Sequence, residues 1–244
     1  LKREYWFVII TYIVMQLSSI IGVPILAVIG TMMGFPADEV RVKSGAYWIV
    51  FSFFAALILV VFFMRKDMKD NINARNQASI TASAVWTIAG VFLALFSQSI
   101  AGVIEQMIGI DPGSENTQQI LSLIEQVPLV IFVSSVIGPI LEEIIFRKII
   151  FGSLYKRYNF FISALVSSVI FGLAHFELVH ILLYSAMGFT FAFLYVKTKR
   201  IIVPILAHIS MNTLVVIFQS VYQDDIEKMM REMETIQGFI GGLL

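Results

Sequence analysis

The sequence predicts an all-α, polytopic transmembrane helical bundle of about seven spans. Composition is the first ground: 58% of the 244 residues are hydrophobic and 14% are charged, with a mean hydropathy of +0.86, too apolar for a soluble domain whose surface must stay wet. The second is spacing, because apolar runs long enough to cross ~30 Å of hydrocarbon at ~1.5 Å per residue recur along the whole chain. The third is the alternation of Lys and Arg between successive loops. Seventeen basic residues balance seventeen acidic ones, so no basic face is available to neutralise phosphates and a nucleic-acid partner is disfavoured. The chain has no cysteine, which removes disulfides, Cys-based zinc sites and thiol nucleophiles together.

Residues 5–33 form the first span, with a basic flank and no small-residue cleavage site after a short apolar core, the pattern of a retained anchor rather than a signal peptide. Runs at 46–64 and 80–108 give the second and third. The segment DPGSENTQQILSLIEQVP that follows begins with turn residues, offers Ser114 or Asn116 as a cap and ends at Pro128, predicting a short helix on the outer surface. The fourth span covers 128–155 and the fifth 161–175. Fifteen residues reach only ~22 Å, so the fifth span ends, at His175, inside the bilayer or against a cavity. Runs at 177–196 and 201–221 complete the seven, and QDDIEKMMREMET at 223–235 reads as a charged interfacial helix.

Basic residues flank these spans at alternate ends. Lys2 and Arg3, then Arg65, Lys66, Lys69 and Arg75, then Lys156 and Arg157, then Lys197, Lys199 and Arg200 mark one side, which the positive-inside rule makes cytoplasmic. The opposite loops balance Arg41 and Lys43 against Asp38 and Glu39, or carry Glu105, Asp111 and Glu115 alone. A multi-pass cell-membrane protein with its N-terminus inside and its tail outside is expected.

Within the fourth span, Glu142, Glu143 and Arg147 interrupt a run of apolar residues. Even lenient insertion scales charge ~2.5–3.5 kcal/mol for an ionised group at mid-bilayer, so such a cluster is by default functional. Glu143 and Arg147 are four apart on one helix face and can pair, leaving Glu142 free for proton transfer. Pro139 has no N–H and so frees the Ser135 carbonyl of a regular helix, loosening the rod just before the glutamates. The bland alternative is that these charges only pair helices together. Elsewhere His175 closes the fifth span, and His208 and Asn212 share a face of the seventh. Counted at ~1.5 Å per residue, all lie at overlapping depths. A carboxylate pair, two imidazoles and an amide at one level are what water activation and oxyanion stabilisation require. Three other features read as structural: Glu177 and His180 at the interface, the small-residue stripe Ala164, Ser168 and Gly172 as a close helix contact, and Phe146 and Phe171 as cavity wall.

The motifs EEIIFR (Glu142–Arg147), FGLAH (Phe171–His175) and HISMN (His208–Asn212), in this order and membrane setting, resemble the EExxxR, FxxxH and HxxxN/B signature of the CAAX-processing and bacteriocin-processing (CPBP, or Abi) intramembrane proteases, over roughly residues 125–220. The resemblance implies an endopeptidase in which Glu142 and His175 activate water, His208 and Asn212 stabilise the oxyanion, and Glu143 is held by Arg147 or shares the proton. It also implies a division into N-terminal helices over 1–120, a catalytic core over 121–221 and an interfacial tail over 222–244. The substrate would be a membrane-associated peptide or protein, lipidated or not, met in the lipid bilayer. Cofactor use stays open between none and a divalent metal such as zinc, for which Glu142, His175 and His208 are the candidate ligands. A proton-coupled transporter is a rival reading, weakened by the lack of repeated halves; a non-catalytic scaffold or immunity factor is another.

Overall fold

Eight helices, with no strand among the described residues 1–72 and 76–219, make up the computed structural model. Helices α1 (Arg3–Met32) and α2 (Ala37–Ile72) form an antiparallel hairpin closed at Gly34, whose φ of +81° is a left-handed conformation that glycine adopts without strain. The two rods approach closely enough that Gly22 lies directly against the Trp48 indole. Helix α3 (Ile80–Met107) is capped by Ser79, whose hydroxyl accepts from the Ala82 amide at 3.1 Å. Helix α4 (Glu115–Gln126) is capped by Ser114, accepting from the Thr117 amide at 3.1 Å, as the turn residues before it predict. The interrupted rod α5 runs over 130–154, followed by α6 (Phe160–Leu173), α7 (Ile181–Thr198) behind a 3₁₀ turn at Leu178–His180, and α8 (Ile202–Gln219).

Five helices, α1, α2, α3, α7 with its preceding turn, and α8, are long and apolar enough to cross a membrane, and α6 is a shorter apolar helix. Their outward faces are apolar, with Ile20 71% and Phe92 69% exposed, as lipid contact requires. At the centre stands α5: Leu141, Ile145, Phe146 and Ile149 are buried against Val8 and Tyr12 of α1, Val60 and Met64 of α2, Phe191 of α7 and Met211 of α8. One core therefore joins the N-terminal hairpin to the later helices. The small-residue stripe does make a close contact, since a Cβ on Gly188 of α7 would come within 3.0 Å of Ser168 on α6.

Four sequence expectations need correction. The second rod begins at Ala37 rather than 46 and continues to Ile72, because Asp38 and Glu39 favour the positive end of the helix dipole and Lys43 pairs with Glu39 at 3.1 Å. The fifth rod ends at Leu173, so His175 lies beyond it, in a turn closed by Phe176 with a left-handed φ of 57°. The fourth is not a regular helix but alternates α and π turns, with π-helical stretches at Val133–Ile137 and Glu143–Phe151. Finally, Phe146 and Phe171 are not cavity wall; both are buried behind it. The tail expected at 222–244 lies outside the described residues.

Candidate active site

The first π turn explains how the centre of α5 is built. In π register the Gly138 amide bonds to the Val133 carbonyl, so the next carbonyl, Ser134, points at Pro139, which has no N–H to offer. The orphan is therefore Ser134 rather than the Ser135 of a regular helix. Asn212 of α8 fills the gap, its Nδ2 donating to the Ser134 carbonyl at 3.2 Å. This leaves one further N–H on the amide. The second π stretch also leans on a neighbour: the Ser167 hydroxyl of α6 donates to the Phe146 carbonyl at 2.6 Å.

Glu142 and Glu143, adjacent in the chain, occupy different environments. Glu143 is fully buried, with Oε2 3.1 Å from Arg147 Nε and Oε1 3.0 Å from His208 Nδ1. The Arg147 contact is a short charge pair off the hydrogen-bond axis, because no Arg147 nitrogen makes an aligned hydrogen bond among the described residues. The guanidinium lies instead over the Phe171 ring at 4.2 Å and the Phe191 ring at 5.4 Å, where the ring quadrupoles favour a cation. Glu142 keeps 17% of its side chain exposed and stands 3.8 Å from His208 Nε2, at the floor of a cavity of about 570 Å³.

The cavity is also lined by His175, His208 and Asn212, while Glu143 and Arg147 stay behind it. Three elements thus bring four of the six candidate residues to one space, and the other two hold one of the four. His175 stacks on the Tyr184 ring at 4.0 Å, and its Nδ1 donates to the Phe171 carbonyl at 2.8 Å. A carbonyl can only accept, so in the neutral ring the lone pair sits on Nε2. His208 is stacked on Phe191 at 4.6 Å. With Glu143 ionised, His208 Nδ1 carries a hydrogen and its other nitrogen is directed at Glu142.

Sequence reasoning did not find the partnerships that Tyr184 and Glu105 make. Tyr184 supports His175 and joins a clamp in which its hydroxyl and that of Ser114 donate to Glu177 at 2.8 and 2.7 Å, with the Glu115 amide at 2.7 Å. This clamp seats α4 over the cavity, which Asn116, Thr117, Ile120 and Leu123 help to line. Burial alone would push the Glu177 carboxyl up, but the hydrogen bonds from Ser114, Tyr184 and the Glu115 amide outweigh it and hold it below its ordinary value. Glu105, 2% exposed, binds His180 Nδ1 at 2.7 Å and the Leu183 amide at 3.0 Å, fixing the start of α7. The only sequence signal for these is a polar residue beside an apolar run; apart from Tyr184, seven positions from Glu177, the partners are separated by 62 to 78 positions.

A metal would need Glu142, His175 and His208 around one point. Among the described residues no three His, Cys, Asp or Glu side chains are grouped closely enough to hold an ion. This donor set does not fit a resident metal as arranged.

Comparison with known proteins agrees with the motifs. The model of the Rce1-like type II CAAX prenyl endopeptidases matches residues 124–214. YdiL of Bacillus subtilis (strain 168) is 52% identical over 245 residues, covering 100% of this chain and 99% of YdiL. The chain belongs to the Rce1-like CPBP family. A second CPBP relative, the membrane-embedded CAAX protease MroQ of Staphylococcus aureus (strain USA300), is 38% identical over 150 residues, 59% of this chain and 61% of MroQ. No solved structure matches. As a member of this family the chain is a multi-pass membrane protein of the CAAX protease type.

Proposed function

We propose that the protein is an integral-membrane endopeptidase that hydrolyses peptide bonds of a membrane-associated protein or peptide with a water activated by Glu142 and His175. The observation that carries this reading is the convergence of Glu142, His175, His208 and Asn212 on one cavity. Glu142 takes the proton as the water oxygen attacks the scissile carbonyl carbon, and His175 accepts a hydrogen bond from that water at its free Nε2. The electron pair of the carbonyl moves to oxygen, where His208 Nε2–H and the second Asn212 N–H stabilise the charge. Collapse of the tetrahedral intermediate breaks the C–N bond, and Glu142 returns its proton to the leaving amine.

Glu143 acts one step back. Its carboxylate, set between Arg147 and His208, accepts from the Nδ1 hydrogen and turns Nε2 towards the cavity, as a buried carboxylate does for a catalytic histidine elsewhere; the proposed oxyanion step uses the ring with both nitrogens protonated. In the proposed orientation the helix ends that carry the basic residues face the cytoplasm, with the N-terminus among them.

The test uses purified protein and a peptide library with and without lipidated members. Wild type should cleave, while Glu142→Ala and His175→Ala should be inactive yet fold normally. Cleavage that persists in both variants removes the assignment. Chelation should leave the rate unchanged; loss of activity restored by zinc would move Glu142, His175 and His208 into a metal site.

A further inference from the structure

The cavity belongs to one end of the bundle. No lining residue comes from α1 before Met15, from α2 after Phe53, from α5 after Glu142, from α7 after Met187 or from α8 before His208. The contributions thus fall near the middle of each rod, at Met15, Glu142 and His208, or in the part of it away from the N-terminal end of α1. The remaining lining comes from Gln98 near the end of α3, from the loop and helix at 113–123, and from the turn at 174–176.

The opposite half is closed. Beneath Glu142 the Arg147 guanidinium fills the space among Phe146, Phe171 and Phe191. Further along, buried Asp67 of α2 accepts from Lys148 at 2.8 Å, Lys2 at 2.7 Å and Tyr5 at 3.0 Å, tying α1, α2 and α5 together.

Charge separates the same two ends. Lys2 and Arg3, Arg65, Lys66 and Lys69, Lys156 and Arg157, and Lys197, Lys199 and Arg200 all stand at the closed end. The cavity end carries Glu105, Asp111, Glu115, Glu125 and Glu177, and its described basic residues, Arg41 and Lys43, are offset by Asp38 and Glu39. An imbalance of this size over short loops sets orientation in a bilayer, with the basic side cytoplasmic.

Resting on the peptidase reading above, we infer that the site is entered from the extracytoplasmic side, and that its substrate class is a peptide segment presented outside the membrane or in its outer leaflet. Chain tails held at the cytoplasmic surface, lipidated ones included, cannot reach Glu142 past the Arg147 and Asp67 layers. The mouth has no Lys or Arg among its lining residues.

The cysteine-free chain allows sidedness to be read directly. Gln119→Cys on exposed α4 and Lys156→Cys in the α5–α6 turn are each treated with a membrane-impermeant maleimide on intact cells. The first should label at once and the second only after permeabilisation; the reverse pattern overturns the inference. In parallel, an impermeant fluorogenic peptide library is supplied to sealed vesicles of both orientations, with Glu142→Ala as control. Cleavage confined to right-side-out vesicles supports the inference, and cleavage confined to inside-out vesicles overturns it while leaving the peptidase reading intact. Cleavage in neither, nor in detergent, removes the peptidase reading and the substrate class with it, and the labelling then still decides which way the cavity faces.

Discussion

Two buried acid–base clusters sit in this bundle, one around Glu142 and Glu143 and one around Asp67. Both join rods from distant parts of the chain, and by composition alone they are the same thing. They differ in what is left over. Asp67 has both oxygens taken by lysines and a tyrosine hydroxyl besides, and it does not line the cavity that Glu142 borders. Glu143 is enclosed, with Arg147 beside one oxygen and His208 on the other, but its neighbour Glu142 borders the cavity, with an imidazole at 3.8 Å. An enclosed charge holds helices; a carboxylate that borders a cavity has chemistry available to it.

The sharpest way to break this contrast is Glu142→Gln, which preserves shape. We expect activity to fall ~10²–10⁴-fold, the usual worth of a general base, with the thermal midpoint unchanged in a purified sample. If the midpoint drops and cleavage survives, Glu142 belongs with Asp67. Arg147→Ala should lower stability as well as activity, costing about 3–5 kcal/mol because Glu143 is left buried without its cation. The double variant Glu143→Gln with Arg147→Met should recover much of that stability in detergent unfolding without recovering activity. Asp67→Ala strands the nearly buried Lys148 and should cost about 3 kcal/mol, while kcat per folded molecule stays within about twofold.

Smaller effects belong to the α4 clamp. Because hydrogen bonds hold the Glu177 carboxyl below its ordinary value, its stabilising contribution is complete above the ordinary carboxylate range and is lost as pH falls through the lowered folded value. Hydrogen exchange of α4 amides should therefore accelerate in acid, and Glu177→Gln should abolish that dependence. The mildest variant is Tyr184→Phe, which keeps the ring against His175 but loses the hydroxyl. About 0.5–1.5 kcal/mol is expected from the missing bond, read as faster α4 exchange and a change in KM with kcat nearly constant.

The sequence was informative where physics is local. Apolar runs locate the rods because hydrocarbon tolerates nothing else, and charges within them mark Glu142, Glu143 and Arg147 for the same reason. The Ser114 cap and the stripe at Ala164, Ser168 and Gly172 are likewise one-turn patterns. What stayed hidden depends on partners remote in the chain or on register. Nothing near Glu105 announces His180, 75 positions on. The extension of α2 at both ends is carried by amphipathic, charged turns that hydropathy reads as loop. Pro139 signals a disturbed helix, but only the π register decides that Ser134, and not Ser135, loses its donor. The fifth span reads as running to His175, two residues past the helix end at Leu173, because a left-handed Phe176 is rare enough that no pattern expects it.

Pro139 governs more than its own rod. By withholding one hydrogen from Ser134 it makes the Asn212 side chain the natural replacement, and so sets the angle of an amide seventy-three positions away. Replacing it with alanine would let the backbone close on itself and release that amide to swing. An imino acid that touches no substrate would thereby act as the tuning peg for a group in the reaction chamber.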